Sequence, residues 1–498
     1  MIKRFNILAV SGLLAASLTT VPTVLAEDKI EPSVVKLIVT KREPDYFRPW
    51  TKAAPEKVSG SGVVIDGKRI LTNAHVVMHA SQVFVQMRRG GDQLNAKVKA
   101  IAPGIDLAIV ELVDPTPLKD VPEIPLADEL PQLKSHVSVY GYPAGGDDLS
   151  VTDGIVSRIE FTSYNFASGG VRVQVDAALN PGNSGGPAIN EGKIVGLVFS
   201  KINEAENIGY LIPTDEIREF MKHVKDGKYD GNMLLLDEYQ TAENEALRKF
   251  LKIPDDVTGI VITDPYSDDK DYPLKQWDVV THVDSHAIDN QGYVDVRDGL
   301  RMRFLYYVAR SAKDGKIDLT ILREGEKKDV SVPVAPRRET VIPTIQDGYP
   351  EYFIYGPLVF EVASQEYVRG LGGNGMGALL ALQSPLLARL YDKPREPGEQ
   401  VVVIATRMFP HPSIKGYDNR PLGVIEKLND KPVKNLRSLA EMLRDSKDEF
   451  LRFKMADRSE SLVFRRSEME AATEEILSNE GIRYQSSDSL KDVLDKKE

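Results

Sequence analysis

Three polar residues of this sequence can together open an acyl bond, and their order narrows the fold that must hold them. Ser184 sits in Asn180-Pro181-Gly182-Asn183-Ser184-Gly185-Gly186-Pro187, a run of small and glycine residues with proline near both ends. Glycine tolerates positive φ and lets a substrate carbonyl approach backbone amides closely, so a serine here suits a nucleophile on a tight loop. The amides of Gly182 and Ser184, with Asn183 between them, make the candidate oxyanion hole for charge developing on an attacked carbonyl. Taken alone, the same run is also what an ordinary Gly/Ser/Asn/Pro turn contains.

A hydroxyl is a poor nucleophile until an imidazole takes its proton, and the imidazole needs a carboxylate to fix its tautomer. His75 ends the stretch Ile70-Leu71-Thr72-Asn73-Ala74-His75, and Asp106 opens Asp106-Leu107-Ala108-Ile109-Val110. The chain order His, Asp, Ser is that of the chymotrypsin-type double barrel, not of subtilisin or the α/β-hydrolases. Each residue has a bland reading of its own. Asp106 is also a turn residue before a strand, a common place for an acid. His75 and His79 share the i, i+4 spacing of metal ligands. Val76 stands where a zinc hydrolase needs Glu, and no third ligand is evident, so no metal is expected.

The elements that must position these residues are short strands. β-branched runs recur at 34–40, 62–65, 83–86, 107–112, 137–140, 171–175 and 194–199, separated by Gly, Pro and Asp turns. That pattern predicts a sandwich or barrel within a mainly β chain. The 498 residues suggest about three domains. A net charge of −11 argues against a nucleic-acid partner, which would want a basic face. Residues 1–26 read as a signal peptide: Lys3 and Arg4, an apolar run, then Val24-Leu25-Ala26 for cleavage after Ala26. That run is short for a membrane span, and no later stretch is long enough, so no span is expected in the mature chain. The lack of cysteine fits an oxidising compartment.

The sequence resembles the HtrA/Deg family of serine proteases. The resemblance lies in Gly60-Ser61-Gly62-Val63-Val64, Leu71 to Val77, Asp106 to Val110, Val139-Tyr140-Gly141-Tyr142-Pro143, Asn180 to Pro187 and Asn207 to Pro213. It spans residues 27–225 in order and looks most like the plant organellar branch and its bacterial relatives. Carried to the matching positions, it implies His75 as general base, Asp106 as its orienter and Ser184 as nucleophile. It also implies an oligomer built from trimers and hydrolysis with no cofactor and no ATP. Leu197, Val198 and Phe199 are the candidate substrate pocket. No acid lies where a pocket for Lys or Arg would need one, so small-to-medium apolar P1 residues are expected.

Beyond a polar linker at 225–232, residues 233–335 and 351–480 read as two α+β modules resembling PDZ domains, the second divergent. In the first, strands are expected at 258–262, 277–283 and 316–323, with a helical pattern over 298–312 and a helix at 243–250. In the second, strands are expected near 356–360, 422–429 and 450–454, with an amphipathic helix at 436–443. The glycine-rich 370–377 reads as a flexible loop before a helix at 378–390, and 481–498 as a charged, loose tail. Such modules bind C-terminal peptides by strand addition. Met233, Leu234, Leu358 and Val359 lie in the two candidate carboxylate loops. Tyr46, Phe47 and Trp50 are candidate contacts in the oligomer that the resemblance implies, or a cover on the barrel. The expected function is therefore an exported endopeptidase, in the bacterial periplasm, acting on unfolded or damaged proteins. The competing reading is a chaperone or peptide-binding scaffold with a dormant site.

Overall fold

The computed structural model describes residues 30–495 except 89, 145, 165–167, 202–208, 225–228, 230, 418–421 and 459. The leader-like residues 1–26 lie outside the described residues, as does much of the 200–207 loop and of the 225–232 linker.

The β-branched runs of the N-terminal half close into two barrels. The first consists of β1 (Val34–Lys41), β2 (Glu56–Ile65), β3 (Arg69–Thr72), β4 (Ala80–Gln86), β5 (Leu94–Ala102) and β6 (Leu107–Leu112), in the order β1-β2-β3-β6-β5-β4. The second consists of β7 (His136–Gly141), β8 (Ser150–Ser163), β9 (Gly169–Val175), β10 (Pro187–Asn190), β11 (Lys193–Lys201) and β12 (Gly209–Pro213), in the order β10-β11-β12-β9-β8-β7. Closure leaves no strand edge exposed to pair with another chain. Val35, Leu37, Val64, Ile70 and Val110 fill the first barrel, and Val139, Val156, Val173 and Leu211 the second. A third cluster draws Leu71, Ile105 and Leu107 from one barrel and Tyr140, Ile189 and Ile212 from the other. That shared core fixes the seam between them. Helix α1 (Ala74–Val77) follows β3, and α2 (Thr214–Val224) follows β12.

Two smaller α+β units follow, as expected for the fold class. In the first, strands Ile260–Asp264, Val279–Val283, Lys316–Arg323 and Glu326–Ala335 form the body of one sheet. Asn244 caps the helix Glu245–Phe250 by accepting from the Leu247 amide. The helix expected over 298–312 is shorter than its apolar pattern implied. Gly299 turns at φ +73°, Leu300–Arg303 is a strand, and only Leu305–Ser311 is helical. Leu300 and Met302 alternate inward and pack on the second barrel's core, so a period of two overrode the helical one. Arg297 donates to the carbonyls of Leu130 (2.9 Å) and Pro131 (2.6 Å), adding a polar contact to that interface.

The C-terminal unit carries a three-stranded sheet (Tyr352–Tyr355, Leu358–Val362, Val402–Ile404) and a four-stranded one with Ile425–Leu428 and Phe450–Met455. The amphipathic helix runs Leu436–Asp445 behind a capping box of Asn435 and Ser438. Two expectations are corrected. The glycine-rich segment is not a loop: Gly370 ends the helix Gln365–Gly370 and, after Leu371, the remaining glycines lie in the helix Gly372–Ala381, while Pro385–Ala388 is a separate turn capped by Ser384. The tail is packed through residue 494: Leu490 and Val493 enter the core, and Arg437 grips Asp492 through Nη1 and Nη2, at 2.8 and 2.9 Å. Loop 42–55 of the first barrel docks here. Phe47 lies 5.4 Å from Tyr367 and Trp50 5.3 Å from Phe409, ring to ring. Phe47 and Trp50 therefore pack against this unit of the same chain, a role neither expectation named.

Beneath that contact, Glu361 is fully buried and neither carboxyl oxygen has a hydrogen-bond partner among the described residues. Burial pushes its pKa well above the usual carboxylate range, so the neutral acid is favoured in the folded state. A raised folded pKa means stability is fully present below the unfolded value and is lost as pH climbs toward the folded one. Glu361→Leu is therefore expected to stabilise the protein by about 2 kcal/mol at pH 8 and by clearly less at pH 5. Urea unfolding at the two pH values, followed by tryptophan fluorescence, measures the difference; equal gains at both would rule out the carboxyl as the cause.

Candidate active site

Antiparallel pairing of β3 with β6 (Ile70 opposite Val110, Thr72 opposite Ala108) sets the end of one strand beside the start of the other. His75, on α1, and Asp106, on the turn into β6, therefore meet at one end of the first barrel. One Asp106 carboxyl oxygen accepts the His75 backbone amide at 2.7 Å, and the other contacts His75 Nδ1 at 2.6 Å. A carboxylate can only accept, so Nδ1 carries the proton and Nε2 keeps its lone pair. Asp106 is 1% exposed and holds φ +58°, with Asn73 Nδ2 donating to its carbonyl at 3.0 Å. His75 is left open to solvent and substrate, its side chain 43% exposed.

Ser184 lies on the loop between β9 and β10. The loop is stitched to β11 by Gly185 N–H to Val198 O (3.0 Å) and Val198 N–H to Gly186 O (2.8 Å). It is also tied to the first barrel, where the Ser61 amide donates to Ser184 O at 2.8 Å. Gly60 marks how closely the two parts abut. A Cβ there would stand 2.7 Å from a Val76 methyl and 3.3 Å from Ser184 O. The residue after His75 and the residue expected to be the nucleophile thus flank one glycine. Gly182 and Gly185 hold φ of +97° and +84° with no room for a side chain, so the loop path requires glycine at both.

Carbonyl placement determines which amides face the site. Pro181 O accepts from Ala144 N at 2.6 Å, and Gly182 O accepts from Ser61 Oγ at 2.8 Å. In a trans peptide N–H and C=O point opposite ways, so binding Pro181 O on one side turns Gly182 N–H to the other. Among the described residues neither Gly182 N nor Ser184 N has a hydrogen-bond partner in the chain. Asn183 differs. Its amide donates to Asn180 O at 3.1 Å and its side chain is buried, so it shapes the loop and offers no donor of its own.

Leu197, Val198 and Phe199 are all buried, and alternation divides them: Leu197 and Phe199 enter the seam cluster, Val198 the second barrel. Arg172 on β9 lies over the rings of Tyr164 (4.4 Å) and Phe199 (4.7 Å), a cation stacked on aromatic faces that nothing in the sequence spacing indicated. Leu358 and Val359 are fully buried in a strand paired on both sides. That strand can take no added peptide strand, which corrects the expectation placed on them. Met233 is half-buried against its own core, and Leu234 pairs with Ala335 at the edge of its sheet.

Comparison with known proteins accords with this geometry. A family model described as a trypsin-like peptidase domain matches residues 60–197, and one described as a PDZ domain matches residues 341–489. Protease Do-like 2, chloroplastic, of Arabidopsis thaliana is 34% identical over 469 residues, covering 93% of this chain and 76% of that protein. Protease Do-like 4, mitochondrial, of the same plant is 37% identical over 431 residues, covering 84% and 78%. Among solved structures, an HtrA-type protease AlgW with tripeptide is 26% identical over 63% of this chain and 96% of its own, with a TM-score of 0.49. With a double-barrel fold, a histidine held by a buried carboxylate, a glycine-framed serine loop tied to the same barrel through Ser61 and relatives matched over most of their length, the chain belongs to the HtrA/Deg family of serine proteases and is an ATP-independent serine endopeptidase.

Proposed function

We propose that His75, Asp106 and Ser184 carry out the peptide hydrolysis and that its substrates are unfolded or damaged polypeptides in an extracytoplasmic compartment. The observation that carries the assignment is the two-point hold of Asp106 on His75, through the backbone amide and Nδ1. With Nδ1 protonated, Nε2 takes the proton from Ser184 Oγ as that oxygen bonds to the substrate carbonyl carbon. Gly182 N–H and Ser184 N–H receive the oxyanion. Collapse of the tetrahedral adduct breaks the C–N bond, and the imidazolium passes its proton to the departing amine. Water, deprotonated by the same Nε2, then opens the acyl-enzyme and restores Ser184. Asp106 stays ionised throughout and stabilises the transient imidazolium.

The apolar residues around β11 support small-to-medium apolar P1 side chains, because none of Leu197, Val198 and Phe199 offers a carboxylate to a buried substrate cation. The leader-like residues 1–26 support export to the periplasm with cleavage after Ala26. Membership of the family supports an assembly of trimers, with the α+β units receiving C-terminal peptides. Digestion of casein without nucleotide, followed by mapping of the new termini, tests the substrate reading. Cuts after Val, Ala, Leu or Ile are expected; cuts confined to Lys or Arg, or none at all, would refute it.

A further inference from the structure

Lys36 is a buried cation on β1 whose ammonium reaches from the first barrel to the segment after β7. Its side chain is 10% exposed, and its ammonium donates to Gly146 O and to an Asp147 carboxyl oxygen, each at 2.7 Å. Burying an ammonium is costly unless it is paired and hydrogen-bonded, so two short charge-assisted contacts identify what it is there to hold. They hold the segment after β7, which belongs to the second barrel.

The same segment controls the oxyanion loop. Ala144 N, two residues before Gly146, is the donor that holds Pro181 O at 2.6 Å. Lys36 is also the cross-strand partner of Ser61, so the two side chains share one face of the first barrel. Ser61 Oγ grips the same pair of segments, donating to Gly182 O and accepting from Tyr142 N, each at 2.8 Å. One strand pair of the first barrel therefore ties down Tyr142, Gly146 and Asp147 after β7 and Gly182 of the oxyanion loop.

We propose that Lys36 is a positioning residue for the oxyanion hole: it fixes the segment whose Ala144 amide sets the Pro181–Gly182 peptide with its N–H turned toward the substrate. The proposal rests on the assignment of Gly182 N–H as an oxyanion donor. Releasing the segment frees Pro181 O, and rotation of that peptide would present a carbonyl where a donor is required. Losing one such donor outright lowers kcat by ~10²–10³. Loosening its support is expected to lower kcat by about 10- to 100-fold, within that limit.

The test compares Lys36→Met and Lys36→Arg with the unmodified protein on a fluorogenic peptide and on a peptide aldehyde, whose adduct with the serine places an oxygen in the hole. Lys36→Met should lose kcat with KM within about 2-fold, and aldehyde Ki should rise in step with the loss of kcat. Lys36→Arg should recover most of both, and the thermal midpoint of Lys36→Met should fall by no more than about 3 °C. A Lys36→Met protein with unaltered kcat and aldehyde affinity overturns the proposal, as does one whose only change is a lower midpoint. If Lys36→Met does not fold, Asp147→Asn decides in the same way: a lower kcat at constant KM supports the role, an unchanged kcat overturns it. An unmodified protein that neither cleaves the peptide nor binds the aldehyde would instead refute the underlying site assignment.

Discussion

Ser184→Ala is expected to lower kcat by about 10⁶, to the level left by binding and the oxyanion donors alone. The loop should survive the change, because its ties run through the backbone: Ser61 N–H to Ser184 O, and the Gly185 and Gly186 contacts to β11. The glycines that fix its path, at φ +97° and +84°, are untouched. Binding of unfolded protein should persist in the variant while cleavage stops. That outcome separates an endopeptidase from a scaffold with a dormant site, since a scaffold would behave identically with serine or alanine. Casein digestion beside a binding measurement on the same two proteins reads both quantities.

Asp106→Asn is expected to cost about 10⁴ in kcat with the fold intact. An amide has one accepting and one donating end, whereas the carboxylate accepts at both. The accepting oxygen can keep the His75 backbone amide, now taken at 2.7 Å, but the nitrogen then faces Nδ1. Facing a donor, the ring moves its proton to Nε2, and the atom that must take the serine proton no longer can. Circular dichroism and the thermal midpoint should change little while turnover collapses. A loss below about 10-fold would mean that Asp106 serves the turn into β6 and not the chemistry.

The residues proposed for catalysis stood out in the sequence because each motif depends on local chemistry. A left-handed glycine on either side of a serine, and a small-residue turn ending in histidine, are written within eight residues. The barrel strands were readable for the same reason: β-branched runs such as 107–112 and 171–175 became β6 and β9. What could not be read depends on partners distant in the chain. The contact of Lys36 with residues 146 and 147, and of Ser61 with Gly182, spans more than a hundred residues and leaves no periodic trace. The helix expected at 298–312 failed because the second barrel claims Leu300 and Met302, a tertiary demand that outweighs the segment's own pattern. The glycine-rich helix Gly372–Ala381 runs against propensity, at ~1 kcal/mol per glycine relative to alanine. Leu371, Met376 and the buried Leu379 pack on the neighbouring core and supply the offset. Leu358 and Val359 were misjudged because a loop motif says nothing about whether the following strand has a free edge.

The proposed chemistry requires a carboxylate-held imidazole to activate Ser184 and no other serine. A fluorophosphonate reacts with a serine only when its hydroxyl is deprotonated as it attacks, so its site of attachment reports activation directly. Mass mapping after brief exposure should find one adduct per chain, on Ser184, with attachment greatly slowed in Asp106→Asn. An adduct on another serine, or none on Ser184 in a preparation that still digests casein, would contradict the account.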